Sequence, residues 1–239
     1  MFYETKICVV VPARSGSKGL KDKNLADLGG HPLLAHSILA AQQAGALPVY
    51  VSTDSSHYAK IAKEYGAEVP FLRPSELATD TAGDYEVMTH FLETMEKEQG
   101  RSFDFFVHLR PTTPLRDPLL IKQAIEKILQ SPEATALRSI HLCSESAYKK
   151  VELSKDQERL VTIFENDPLL DKVNGERQEY PETYTPNGYV DVLKTSTLKK
   201  GHIHGNHVLP FITEPVVEVD SSWELYLNQL IFDSKEGGA

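Results

Sequence analysis

Four cations, Arg14, Lys18, Lys21 and Lys23, stand within a ten-residue stretch near the start of the chain. They follow the β-branched run Val9-Val10-Val11, which stops at Pro12, and they are interleaved with Ser15, Gly16, Ser17 and Gly19. A buried strand that empties into a small-residue cationic loop offers backbone N–H groups and positive charge together, which is what a polyphosphate requires. The spacing is neither the GxxxxGK[ST] of a P-loop nor the GxGxxG of a dinucleotide fold. Gly16 and Gly19 permit a tight path beside Arg14 and Lys18. Asn24 follows, with two-way hydrogen-bonding capacity suited to a ribose or a base edge. The plainer reading is a β-to-α connection with solvated lysines; the density of cations directly after a strand favours the phosphate site.

A second loop, His108-Leu109-Arg110-Pro111-Thr112-Thr113-Pro114-Leu115-Arg116-Asp117, begins where the apolar run at residues 103–109 ends. Ligands of open α/β sheets bind beyond the carboxyl ends of strands, and this loop lies there. Pro111 and Pro114 stiffen it and preorganise Arg110, Thr112, Thr113 and Arg116. A rigid connector with salt-bridged arginines is the competing reading. Residues 72–84 alone read as a loop with an N-cap at Asp84. Glu218-Val219-Asp220 sets two carboxylates at alternate positions near the end of an expected strand, so both point to one face. Like charges so placed need a cation, and Mg2+, held by one or two carboxylates plus phosphate oxygens, supplies it. Asp220 is also a possible N-cap for a helix beginning at residue 221. His202 and His204 have the spacing of a metal pair, but no further ligand cluster accompanies them.

These loops need a scaffold that aims them. Residues 6–12, 49–53 and 103–109 read as strands, and residues 32–45, 55–65, 84–99 and 117–130 as helices. Leu34, Ile38 and Ala41 share one helix face; Val87, Phe91 and Met95 share another; Ile121, Ile125 and Leu129 a third. Ser55 or Ser56, and Asp117 followed by Pro118, are helix starts. This rhythm implies an α/β fold: an open, mostly parallel sheet flanked by helices. It fades from residue 134 to 185, where short strand-like pieces at 137–142, 149–153 and 160–164 and a polar stretch at 166–183 suggest an excursion on the sheet. Strands are expected again at 188–194, 208–212 and 216–219, then a last helix from about Ser222.

Composition bounds the partners. The 239-residue chain carries 34 Asp+Glu against 25 Lys+Arg, a net charge of −9, which argues against nucleic acid or an anionic membrane. No apolar run approaches the ~20 residues of a membrane helix. Residues 1–4 lead straight into a strand without a signal-peptide pattern. Two cysteines cannot build a disulfide framework, and Cys8 reads as a small buried hydrophobe. The expectation is a soluble cytoplasmic protein.

Several stretches together resemble the acylneuraminate cytidylyltransferases, the CMP-N-acetylneuraminate synthetase-like family of nucleotidyltransferases. They are Pro12-Ala13-Arg14-Ser15-Gly16-Ser17-Lys18-Gly19-Leu20 through Lys23-Asn24, Val51-Ser52-Thr53-Asp54, Arg73-Pro74-Ser75-Glu76-Leu77-Ala78-Thr79-Asp80-Thr81, Arg110-Pro111-Thr112-Thr113-Pro114-Leu115-Arg116, Arg177-Gln178, Pro186-Asn187-Gly188 and Val219-Asp220. They run in the family's order across most of the chain. The resemblance implies a single Rossmann-like nucleotidyltransferase domain over residues 1–239, with a dimerisation excursion at about 134–185 and hence a homodimer. It implies that CTP and a nine-carbon 2-keto sugar acid, sialic, legionaminic or related, give a CMP-sugar and pyrophosphate. By this likeness Arg14, Ser17, Lys18 and Lys23, with Ala13, hold the nucleotide's phosphates. Asn24 and the Asp80-Thr81-Ala82 loop contact the nucleoside. Arg110, Thr112, Thr113 and Asn187 line the sugar site, and Arg177 takes the sugar carboxylate. Asp220, assisted by Glu218, binds Mg2+; Arg14, Lys18 and Asp220 are the catalytic set. The chain departs from the family's usual residues at Arg110 (commonly Gln), Thr185 (often Arg) and Glu218 (usually Asp). Two other readings stay open: a nucleotidyltransferase using another nucleotide or a sugar phosphate, such as a hexosamine phosphate guanylyltransferase, or a nucleotide-binding module without catalysis.

Overall fold

Cys8, Val9, Val10 and Val11 have no solvent exposure at all, and their alternation builds both sides of a sheet. Val9 and Val11 join one apolar layer, while Cys8 and Val10 join the other. A strand covered on both faces has no polar side to show, hence the continuous apolar run. The computed structural model describes residues 6–45, 47–163 and 168–237.

In chain order the elements are β1 (Ile7–Pro12), β2 (Asp27–Leu28), β3 (His31–Pro32), α1 (Leu33–Ala44), β4 (Val49–Ser52), α2 (Ser56–Glu64), α3 (Asp84–Gln99), β5 (Phe105–His108) and α4 (Pro118–Leu129). Then come β6 (Ala136–Leu142), β7 (Val151–Leu153), β8 (Leu160–Thr162), β9 (Tyr184–Lys194), α5 (Thr195–Leu198), β10 (Val208–Ile212) and α6 (Ser222–Glu236). The six-stranded sheet runs β10-β6-β9-β5-β1-β4. β1 lies parallel to β4 and β5, and β9 is antiparallel to β5. Leu34, Ile38, Ala41, Tyr58, Ile121 and Ile128 close one face; Met88, Phe91 and Met95 of α3 close the other. The expected α/β sheet with helices on both faces is the observed one.

Two compact units make up the chain. The larger comprises Met1–Ser139, Gly188–Phe211 and Val216–Ala239; the smaller comprises Ile140–Asn187 and Ile212–Pro215. The smaller one carries the β7–β8 ribbon, paired Val151↔Thr162 through Leu153↔Leu160. No helix among the described residues is long and apolar enough to cross a membrane.

Local details differ from expectation for identifiable reasons. Ser55 and Asp117 cap α2 and α4, accepting from Tyr58 N at 3.3 Å and Leu119 N at 2.8 Å. The core face of α4 is Ile121, Ala124 and Ile128, with Ile125 only partly buried, because the stripe steps by three as well as four. Asp84 is the first residue of α3 and not its cap; Gly83 holds that position. Residues 216–219 alternate like a strand but join no sheet; Val219 N instead donates to Thr112 O at 2.7 Å. The expectations at residues 1–4, and for Phe164 and residues 166–167, lie outside the described residues.

Candidate functional site

The cationic loop leaves β1 at its carboxyl end and is tied down by its neighbours. Asp54, just past β4, accepts from Ser15 N at 2.8 Å and from Ser15 Oγ at 2.5 Å. Burial raises the Asp54 carboxyl's pKa, but these two bonds outweigh it and hold the group below the ordinary range. Asn24 is buried and donates to Arg14 O at 2.9 Å, so in this structure its amide nitrogen shapes the loop. Ala13 N donates to Ser52 O at 2.9 Å.

Arg14, Ser17, Lys23, Asn24, Ala82, Arg110 and Thr112 line one cleft in the larger unit. Arg14 NH2 and Lys18 Nζ each lie 2.6 Å from the Asp80 carboxylate, one on each oxygen. Lys18 first, and Arg14 with it, holds that carboxyl below its usual pKa. Asp80 was expected at the nucleoside; here it supplies the anion that the two cations share. Thr81 Oγ1 lies 3.2 Å from Thr79 Oγ1.

The late carboxylates approach residues of this region without lining the cleft. Lys23 Nζ sits 2.7 Å from Asp220 Oδ1, with the lysine side chain 17% exposed and the aspartate 71%. A Cβ on Gly19 would come within 2.8 Å of Asp220 O, so only glycine lets the cationic loop approach this closely. Gly188 has φ +64°, and a Cβ there would lie 2.7 Å from Glu218 Oε1 and 3.3 Å from Thr113 Oγ1. Burial pushes the Glu218 carboxyl's pKa up, and Asp220's charge adds to the effect against Arg110, Arg116 and Lys23. Two hard oxygen donors that repel each other beside the cationic loop suit Mg2+, provided phosphate oxygens complete its shell. Among the described residues no group of three or more His, Cys, Asp or Glu is placed to hold a metal unaided, His202 and His204 included. Asp220 is not the helix cap: Ser221 is, with Glu224 in a capping box.

The two arginines of the second loop part company. Arg110 lines the cleft, while Arg116 is buried and donates to the carbonyls of Tyr189, Thr113, Arg110 (2.8 Å) and Gly188 (3.0 Å) and to Ser37 Oγ (2.9 Å). Burial pulls the Arg116 guanidinium down to about 9. It staples the loop to β9 and offers nothing to a ligand. Thr112 faces the cleft; Thr113 lies behind it, buried, with Oγ1 unpartnered. Arg177 and Asn187 belong to the smaller unit. There Arg177 is exposed on a turn, and Asn187 donates to Thr213 Oγ1 at 2.8 Å.

Sequence reasoning missed Arg73, which is 4% exposed and lines the cleft with Nε and NH2 lacking hydrogen-bond partners. Burial lowers its pKa, Asp54 opposes this, and Arg14 adds to it. A buried guanidinium with free donors at a cavity awaits an acceptor. It stands directly before Pro74 in a segment that reads as an ordinary loop. Asp84, His108 and Asp191 were also missed. Asp191 is a lone charge inside the apolar run of β9, and that was the available signal.

His108 is fully buried and neither ring nitrogen has a hydrogen-bond partner. Burial, then Arg110, pulls its pKa from 6.5 to about 4, against Asp84 and Asp191. Between pH 6.5 and about 4 the unfolded chain binds a proton that the native ring refuses, so stability falls with pH through that window. His36 and His90, lowered first by burial, act in the same direction. His108→Asn is expected to flatten, without abolishing, the drop in melting temperature across this range. A slope equal to the unsubstituted protein's would refute it.

Known proteins show which family the chain belongs to. The family model described as cytidylyltransferase matches residues 8–220. The N-acylneuraminate cytidylyltransferase of Escherichia coli O18:K1:H7 is 35% identical over 223 residues, covering 90% of this chain and 49% of that protein. The CMP-N,N'-diacetyllegionaminic acid synthase of Legionella pneumophila is 44% identical over 124 residues, 51% of this chain and 52% of that one. The chain spans about half the length of these curated relatives. Among solved structures, CMP:2-keto-3-deoxy-manno-octonic acid synthetase complexed with CTP superposes with a TM-score of 0.70 at 16% identity, over 97% of this chain and 100% of that chain. The fold is therefore the nucleotidyltransferase fold, and with the family model matched from β1 to Asp220, this chain belongs to the cytidylyltransferase family, the acylneuraminate-type group that its motifs resemble.

Proposed function

We propose that the chain transfers a cytidylyl group from CTP to the anomeric hydroxyl of a nine-carbon 2-keto sugar acid, releasing pyrophosphate, with Mg2+ as cofactor. One observation carries the reading: Asp220 packs against the cationic loop after β1, 2.7 Å from the cleft residue Lys23 and hard against Gly19. The sugar class rests on the names of the relatives, which act on N-acylneuraminate and diacetyllegionaminate.

In-line attack on the α-phosphorus needs positioning and charge neutralisation more than covalent help. Arg14 and Lys18 stabilise the negative charge that builds on the leaving pyrophosphate, after exchanging the Asp80 carboxylate for phosphate oxygens. Ser17 and Lys23, with Ala13, complete that side. Arg73 adds two unpaired donors toward the nucleotide, with Asn24, Thr81 and Ala82 beside the nucleoside. Arg110 and Thr112 line the acceptor side, with Thr113 buried behind them. Asp220 and Glu218 would hold Mg2+, which would supply charge neutralisation and lower the pKa of the attacking hydroxyl. The smaller unit serves as a dimer interface, for which exposed Val151, Leu153 and Leu160 provide apolar area.

The experiment is pyrophosphate release with each of four nucleoside triphosphates against sugar acids and sugar phosphates, with and without Mg2+. Turnover is expected only with CTP, a sugar acid and the metal together. Turnover of a sugar phosphate, or tight CTP binding with no metal-dependent reaction, would replace this reading. A monomeric mass by sedimentation would remove the dimer from it.

A further inference from the structure

Asp191 is a carboxylate where charges are normally excluded. It is fully buried in β9 between Val190 and Val192, and its cross-strand partner on β5 is His108. Val10, the register partner of His108 on β1, packs on the α3 side of the sheet, so Asp191 faces that layer too. An unpaired carboxylate there is strongly disfavoured. Arg110 supplies the pairing: NH1 lies 3.1 Å from Asp191 Oδ2, and NH2 lies 2.6 Å from Asp84 Oδ2 at the start of α3. Asp191 Oδ1 has no hydrogen-bond partner; Arg138 Nε at 3.9 Å, and His204 Nε2 at 3.7 Å from Oδ2, stand beyond bonding distance.

Both terminal nitrogens of Arg110 are thus held by carboxylates from different elements, α3 and β9. Its side chain is only 19% exposed, yet it still lines the cleft beside Pro111 and Thr112. Two anchors fix the direction of the guanidinium. The carboxylates of Asp84 and Asp191 balance the guanidinium charges of Arg110 and of Arg138, 3.9 Å from Asp191, which leaves no unbalanced charge at the Arg110 tip for a ligand anion. What remains is a rigid set of N–H donors.

Resting on the cytidylyl-transfer reading, we propose that Asp84 and Asp191 are positioning residues that hold Arg110 as a charge-compensated donor. The acceptor then presents to Arg110 a neutral oxygen, a hydroxyl or an acylamino carbonyl, and turns its carboxylate elsewhere in the site.

The test measures pyrophosphate release by the unsubstituted protein and by Asp191→Asn, Asp84→Asn, Arg110→Gln and the Arg110→Gln/Asp191→Asn double variant. Each is assayed with the best sugar acid and with its C1 carboxamide. Each single variant is expected to raise the acceptor KM about tenfold, as for one lost charge-assisted hydrogen bond, with the CTP KM within about twofold. The double variant should be no worse than Arg110→Gln alone, since all act through one group. The penalty of Arg110→Gln should persist with the carboxamide, whereas Asp191→Asn should shift preference toward the acid by unmasking the guanidinium charge. Asp84→Asn, at a residue whose side chain is 42% exposed, keeps the test decisive if the Asp191 variant does not fold. A penalty that vanishes with the carboxamide, additive losses, or an unchanged acceptor KM in Arg110→Gln overturns the proposal while transfer itself stands. No turnover by the unsubstituted protein with any sugar acid overturns the transfer reading, and this proposal with it.

Discussion

Arg14→Ala is expected to lower turnover about a hundredfold, the rate equivalent of losing ~3 kcal/mol of charge stabilisation in the transition state. The guanidinium stands at the mouth of the loop with NH2 on Asp80 at 2.6 Å and NH1 3.4 Å from Ala78 O. Nothing in the apolar layers depends on it. Partly exposed ion pairs of this kind contribute about 0–1 kcal/mol to folding, so the melting temperature should hardly move. Asp80 keeps Lys18 as a partner in the variant, at 2.6 Å. The loop itself remains anchored by Ser15 on Asp54 and by Asn24, whose bond is to the backbone of residue 14. Steady-state pyrophosphate release and a thermal melt on the same preparation separate chemistry from folding. Unchanged kcat would eliminate the role assigned to Arg14; a collapse of the melt would show that the loop is a folding element instead.

The cationic loop and its scaffold are legible in the sequence, within physical limits. β1, α1, α3 and α4 were legible because burial on one or two faces imposes periods of two and 3.6 on apolar residues. The cationic loop was legible because its composition runs against an acidic chain. Periodicity says nothing about pairing, so the alternation at residues 216–219 looked like a strand although its partner is a single carbonyl, Thr112 O. Arg110 and Arg116 are the same residue type in one rigid loop, yet one lines the cleft and the other is consumed by backbone carbonyls. Only the approach of the Gly188–Tyr189 backbone decides between them. Arg73 and Asp191 were hidden for the same reason: a charged residue's burial is a property of what folds over it. The two units were foreshadowed by the loss of α/β rhythm, but the return of Ile212–Pro215 to the smaller unit left no local signal.

The same kind of ambiguity at Asp220 yields the second large effect. A carboxylate directly before a helix is either a cap or a ligand, and the adjacent serine resolves which. Ser221 Oγ accepts from Trp223 N at 3.2 Å, and Glu224 Oε2 accepts from Ser221 N at 2.9 Å, so the first turn of α6 is satisfied without Asp220. Asp220 is left free of the helix, 71% exposed and paired only with the cleft residue Lys23 among the described ion pairs. Asp220→Ala should therefore lower turnover by about two decades or more and erase the response of the residual rate to added Mg2+, with the melt unchanged. Ser221→Ala should do the reverse. It should cost about 1 kcal/mol of stability, roughly 2–4 °C in melting temperature for a chain of this size, with kcat retained. Magnesium titrations of the two variants, run beside their melts, read both outcomes. Metal-dependent turnover surviving in Asp220→Ala would leave Glu218 to bind the ion with phosphate alone. Equal losses of activity in both variants would mean that the helix start, and not the carboxylate, is what the reaction requires.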